Sequence, residues 1–132
     1  MSPRRLGRFA FAAFMVAAGL NHFVDPDFYL SLMPPWLPWH EPLVFWSGVA
    51  EVAAGLGVLI PPIRRWAGWF AIAVLLAVFP ANVWMAVDAS VWPDVPTWAR
   101  WARLPFQALF IWWAWIVTKP DAPETIGRPA TG

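Results

Sequence analysis

Apolar residues fall in four long runs, at about 6–23, 43–60, 65–87 and 97–117, separated by short polar and proline-rich breaks. Runs of this length and apolarity predict membrane-spanning helices. The run from Leu43 to Ile60, LVFWSGVAEVAAGLGVLI, extends about 27 Å as a helix, close to the roughly 30 Å hydrocarbon core of a bilayer. The pattern predicts an all-α fold: one transmembrane four-helix bundle, N-in and C-in, occupying residues 1–132.

The breaks carry their own information. VDPDFYLSLMPPWLPWHEP, after His22, is too polar and too rich in proline to span. Asp25 can cap a short helix with Pro26 at its first position, and Pro34-Pro35 must end it. This predicts a turn or two over residues 26–33, lying on the membrane surface of the first outer loop as a lid. Glu41-Pro42 and Pro61-Pro62 bound the second run. Pro80 and Pro105 lie inside the third and fourth; Pro80 cannot donate to the carbonyl of Leu76, so a kink and a free acceptor are expected there. Residues 118–132, rich in Pro, Gly and Thr, are expected to form a disordered cytoplasmic tail.

Composition points the same way. With 60% hydrophobic and 13% charged residues in 132, the chain has more apolar surface than a soluble domain of its size can bury, so the lipid bilayer is expected to cover the rest. Arg4, Arg5, Arg8, Arg64, Arg65, Lys119 and Arg128 fall on one side of the spans, and the other side's loops carry Asp25, Asp27, Glu41, Asp88 and Asp94 without Lys or Arg. The positive-inside rule then places both termini in the cytoplasm. A secretory-signal reading of the first 23 residues is set aside because that helix is needed against the other three.

The absence of cysteine excludes thiol relays, disulfides, thiolate metal sites and iron–sulfur clusters for this chain alone. No phosphate-cradling glycine loop, serine-nucleophile motif or nucleic-acid patch is present, so no nucleic-acid partner and no self-sufficient catalytic motif is expected.

Candidate chemistry lies within the spans. Glu51 sits mid-run, where a carboxylate costs at least ~2.5 kcal/mol unless it is protonated, paired or facing a polar cavity. Gln107 lies at a similar depth, with Arg103 and Arg100 above it on one helical face; Asn82 is in the outer half, and Asn21 and His22 close the outer end of the first run. Ser47, Gly48, Ala54 and Gly55 share the face of Glu51 and point it inward, with Arg103 or Gln107 as the expected partner, while Asn82 is expected to take the carbonyl freed at Pro80. Two readings follow. The cluster either glues the helices together, at ~0.6 to 2 kcal/mol per polar contact, or lines a cavity open to the outer side. That cavity would hold His22, Glu51, Asn82, Arg103 and Gln107, with walls from Phe23, Trp46 and Phe106, and would suit a flat amphipathic ligand such as a quinone headgroup or a lipid. His22, His40, Asp25, Asp27 and Glu41 could meet at the outer rim, but no tight ligand spacing is present and no metal site is expected.

The runs AGLNHFVDPDFYLSLMPPWLP, SGVAEVAAGLGVLIPPIRRWAGW and VFPANVWM resemble the DoxX-like family of small bacterial four-helix membrane proteins, over roughly residues 6–117. The resemblance is carried by Asn21-His22-Phe23, the Pro34 loop, Ser47-Gly48 with Glu51 and Gly55, Arg64-Arg65, and Phe79-Pro80-Ala81-Asn82. It implies a multi-pass protein of the bacterial cytoplasmic (inner) membrane. Some DoxX-like proteins serve as a membrane subunit of a thiosulfate to quinone oxidoreductase or in oxidant-defence complexes, which implies a membrane redox partner. Others resemble maturation factors thought to use cysteine pairs, which this chain lacks. The expected function is binding of a quinone-like or lipid ligand around Glu51 beside a redox partner; the alternatives are a non-catalytic scaffold or assembly subunit and a small proton-coupled transporter. Exposed faces rich in Ala and Trp permit a homodimer.

Overall fold

A computed structural model describes residues 1–122, and within them the chain is all-helical. Five α-helices follow in order: α1 Pro3–Val24, α2 Pro26–Ser31, α3 His40–Leu59, α4 Arg64–Val87 and α5 Thr97–Val117. The side chain of Ser2 accepts from the amide of Arg5 and opens α1, with Pro3 at its first position. Asp25 caps α2 in the same way, accepting from Phe28 N ahead of Pro26. Trp39, immediately before α3, has φ 57°, a left-handed conformation uncommon for so bulky a residue. Pro61–Ile63 form one 3-10 turn that leads directly into α4. Pro80 and Pro105 lie inside α4 and α5, and both helices run through them.

Among the described residues three segments are long and apolar enough to cross a membrane: Pro3–Val24, His40–Leu59 and Pro61–Val87. Helix α5 has the length, about 31 Å for its 21 residues. Its first half is less apolar because it carries Arg100, Arg103 and Gln107.

The four long helices form a ring in which α1 packs on α3, α3 on α4, α4 on α5 and α5 back on α1. Each neighbouring pair is antiparallel. A Cβ added at Gly19 would lie 2.7 Å from the carbonyl oxygen of Gly48, and one at Gly55 would lie 2.9 Å from that of Ala12, so residue numbers rise on α3 as they fall on α1. Gly68 lies on Thr118 and Leu75 on Gln107, which sets the same relation between α4 and α5. One end of the bundle is therefore basic and the other acidic.

The dry core, Phe11, Met15, Ala54, Val58, Ala67, Ala71, Ala114 and Val117, fills the basic half. That end is tied across the helices by arginines serving the last carbonyls of α3 and α5, which have no intrahelical donors. Arg8 Nε donates to Val117 O at 2.9 Å, Arg64 Nε to Val58 O at 3.0 Å and Arg65 to Trp115 O at 3.2 Å. Asp121 bridges Arg8 at 3.0 Å and Arg64 at 3.5 Å. Thr118, expected in the tail, is buried and its hydroxyl donates to Ala114 O at 2.6 Å; residues 123–132 of the expected tail lie outside the described residues. The outward faces carry Phe9, Leu20, Phe45, Leu56, Phe70, Leu76 and Leu109, all exposed, a surface suited to lipid contact.

Candidate functional site

The acidic half of the ring is hollow. Helix α1 meets α5 near the basic end, with Phe11 edge-on to Trp113 and Phe14 stacked on Phe110 at 4.6 Å. Beyond that stacked pair the space between α1, α3, α4 and α5 opens into a cavity of about 440 Å³. Its floor is Phe14 and Phe110, its roof is α2 with the loop that follows, and its walls are largely apolar. The roof is pinned where His40 Nε2 donates to Pro34 O at 3.0 Å, with Pro34 itself buried. Ala77, Pro80 and Phe106, all exposed, edge the cavity at mid-length on α4 and α5, and Trp36, Leu43 and Arg103, also exposed, edge it nearer the acidic end.

His22 and Glu51 form a buried pair behind one wall. His22 Nδ1 lies 2.9 Å from Val44 O. A carbonyl only accepts, so Nδ1 must carry the proton. His22 Nε2 then faces Glu51 Oε2 at 3.3 Å. Two bare acceptors would repel there, so one proton is shared: either the carboxylic acid donates to neutral imidazole or imidazolium faces carboxylate. The pair is neutral in both forms. At 3.3 Å the contact is loosely aligned, and no other polar group serves Glu51 Oε2 among the described residues. Tyr29 from α2 stacks on the imidazole, ring centroids 3.8 Å apart, and Asn21 Nδ2 donates to the Tyr29 hydroxyl at 2.9 Å. With both nitrogens engaged, His22 offers a ligand only its ring.

On the opposite wall Asn82 Nδ2 donates to Gln107 Oε1 at 3.2 Å, and Gln107 Nε2 donates to Leu75 O. Leu75 precedes Leu76, whose carbonyl loses its helical donor at Pro80. Above them Arg103 sits 5.4 Å from the centre of the Trp92 ring and 3.9 Å from Met85 Sδ. Arg100 turns inward instead, donating to Ala86 O at 3.1 Å and to Thr97 Oγ1 at 3.3 Å.

Several expectations are corrected here. Glu51 pairs with His22 rather than with Arg103 or Gln107, and it stands behind the cavity wall instead of lining it. Depth along a helix was readable from numbering, but azimuth was not: the small face of α3 turns Glu51 toward α1. Gln107, not Asn82, reaches the α4 backbone near Pro80, because it comes from the facing helix. Asn21 is exposed and lies outside the cavity, bonded to Tyr29, which lines it, while Phe23 and Trp46 face away and meet Phe45 edge-on. His22, Asn82, Arg103, Gln107 and Phe106 do meet at the cavity. The rim cluster does not assemble: His22 and His40 are each turned to other partners, and the described residues contain no group of three or more His, Asp or Glu placed to hold a metal. Tyr29 was missed. Its signal was being the chain's single tyrosine, placed on the segment read as a lid.

A family model described as "Domain of unknown function (DUF8561)" matches residues 11–118. No curated protein and no solved structure matches the chain.

Proposed function

We propose that this chain, which belongs to the DUF8561 family, is a four-span protein of the bacterial inner membrane that holds one amphipathic ligand, quinone-like or lipid, in the cavity at its acidic end. The observation that carries the reading is the exposed cavity edge at mid-length of α4. Ala77 and Pro80 lie seven to ten residues before the end of α4 at Val87, about 10 to 15 Å along its axis. A molecule entering there comes from the hydrocarbon, which selects for a ligand that partitions into lipid.

Helix α5 serves as the fourth span because Arg100 and Gln107 turn into the bundle, buried on α4 carbonyls. The basic end, with Arg4, Arg5, Arg8, Arg64, Arg65 and Lys119, is cytoplasmic by the positive-inside rule, which puts the cavity on the outer side. A membrane redox partner rests on the DoxX-like resemblance alone. The test is mass spectrometry of organic extracts from the purified protein and from Val78→Trp, which fills the cavity with an indole while leaving the polar pairs intact. A defined quinone or lipid should accompany the wild type and be lost from the variant.

A scaffold without ligand is the second reading. It is favoured by Glu51, whose pairing with His22 fixes helix register and faces no ligand. Only bulk phospholipid in both extracts would turn the search toward an assembly partner.

A further inference from the structure

The geometry points to Arg103 as the head-group anchor of this cavity, selecting a ligand with an oxyanion head, a carboxylate or a phosphate ester, on an apolar tail; the inference rests on the cavity reading above. Four other arginines that pack on the bundle each donate to an oxygen: Arg8 to Val117 O and Asp121, Arg64 to Val58 O, Arg65 to Trp115 O and Arg100 to Ala86 O. Arg103 donates to none among the described residues, and its only neighbours of note are the Met85 sulfur, a weak acceptor, and the Trp92 ring. A guanidinium has five N–H groups in a flat fork that matches a carboxylate or phosphate. Arg103 lines the cavity with an exposed side chain, inside what is read as a membrane span, where an unaccompanied charge is expensive.

The surrounding wall is rich in donors and poor in anions. Asn82 and Gln107 each use one amide N–H within the protein and keep a second. The Tyr29 hydroxyl accepts from Asn21, which leaves its own hydrogen to give. Among the described residues no Asp or Glu lines the cavity: Glu51 is behind His22, and Asp27 and Glu41 line a separate recess on the other side of that ring. An anionic head would gain charge-assisted hydrogen bonds from Arg103 with no carboxylate to repel it, while Phe14, Phe106, Phe110 and Val78 receive the tail.

The test is binding to purified wild-type protein in detergent, followed by Trp fluorescence, with oleate, dodecyl phosphate, methyl oleate, a decyl-substituted benzoquinone and acetate as probes. The same titrations are run on Arg103→Gln, Arg103→Lys and Val78→Trp, each checked for an unchanged melting transition. Oleate and dodecyl phosphate should saturate the wild type, methyl oleate should bind at least about tenfold more weakly, and acetate, with no tail, should not bind. Arg103→Gln should lose about tenfold toward the acids and Arg103→Lys should keep part of it. Equal binding of the ester or the quinone, unchanged in Arg103→Gln and lost in Val78→Trp, overturns the anchor and leaves the cavity reading standing. Binding that survives Val78→Trp, or no binding by any tailed probe, overturns both.

Discussion

His22 Nε2 lies 3.3 Å from Glu51 Oε2, while the other ring nitrogen must donate to Val44 O at 2.9 Å. Removing either partner orphans the other. Glu51→Gln still offers an N–H to His22 Nε2 and is expected within about 1 kcal/mol of the wild type. Glu51→Leu leaves a buried imidazole acceptor bare and should cost about 1 to 3 kcal/mol. His22→Leu leaves a carboxyl with no partner and should cost more, about 3 to 5 kcal/mol if the carboxyl stays ionised. Unfolding in detergent ranks the three, and His22→Leu milder than Glu51→Gln would remove the shared proton from the account.

Glycines at the α1–α3 contact are a second lever. At Gly48 an added Cβ would lie 2.7 Å from the Cβ of His22 and 2.9 Å from Gly19 O, and neither can retreat easily. Gly48→Ala gains about 1 kcal/mol of helix propensity yet forces the helices apart, so a net loss of about 1 to 2 kcal/mol is expected. Gly7→Ala is the control. Its Cβ would meet Val117 Cγ1 at an ordinary 3.4 Å, so the same substitution should stabilise by up to about 1 kcal/mol.

Asn82 and Gln107 should couple. A double-mutant cycle of Asn82→Ala with Gln107→Ala is expected to return an interaction of about 0.6 to 1.7 kcal/mol, the range for polar pairs between membrane helices. Additive losses would mean that Gln107 acts through Leu75 O alone.

Asp121 confers a dependence on pH at the basic end. The hydrogen bond from Arg8, aided by the charges of Arg8, Arg64 and Arg4, holds its carboxyl below the ordinary value of 3.8. A lowered folded-state pKa means that the stabilisation is fully present above that ordinary value and is lost as the pH falls through the folded one. The side chain is 63% exposed, so the gain is screened to within about 1 kcal/mol. The melting difference between wild type and Asp121→Asn should be measurable at pH 7 and shrink steadily below about pH 3.8. A difference that grows in acid would contradict the pairing.

The helices were legible because proline, glycine and charge punctuate the apolar runs. Asp25 and Pro26 open α2, and Pro61-Pro62 separate α3 from α4. Partners across helices were less legible, since one sequence gives depth but not facing. The clue for Glu51 lay in small residues: Gly19 on α1 and Gly48 on α3 can touch only if those helices are closest neighbours, and that contact brings His22 beside Glu51. Nothing local marks Phe14 and Phe110 as a cavity floor, because their stacking depends on how far α5 leans from α1.

The arginine ties at the basic end give the bundle a gradient of protection. Amides of α1 before Phe14 and of α5 after Phe110 are clamped by packed core and by side chains from other helices, and they should exchange their hydrogens only with global opening. The six-residue α2, with no buried residue of its own, should exchange by local breathing. A molecule could then come and go through the loose end while the clamped end never loosens.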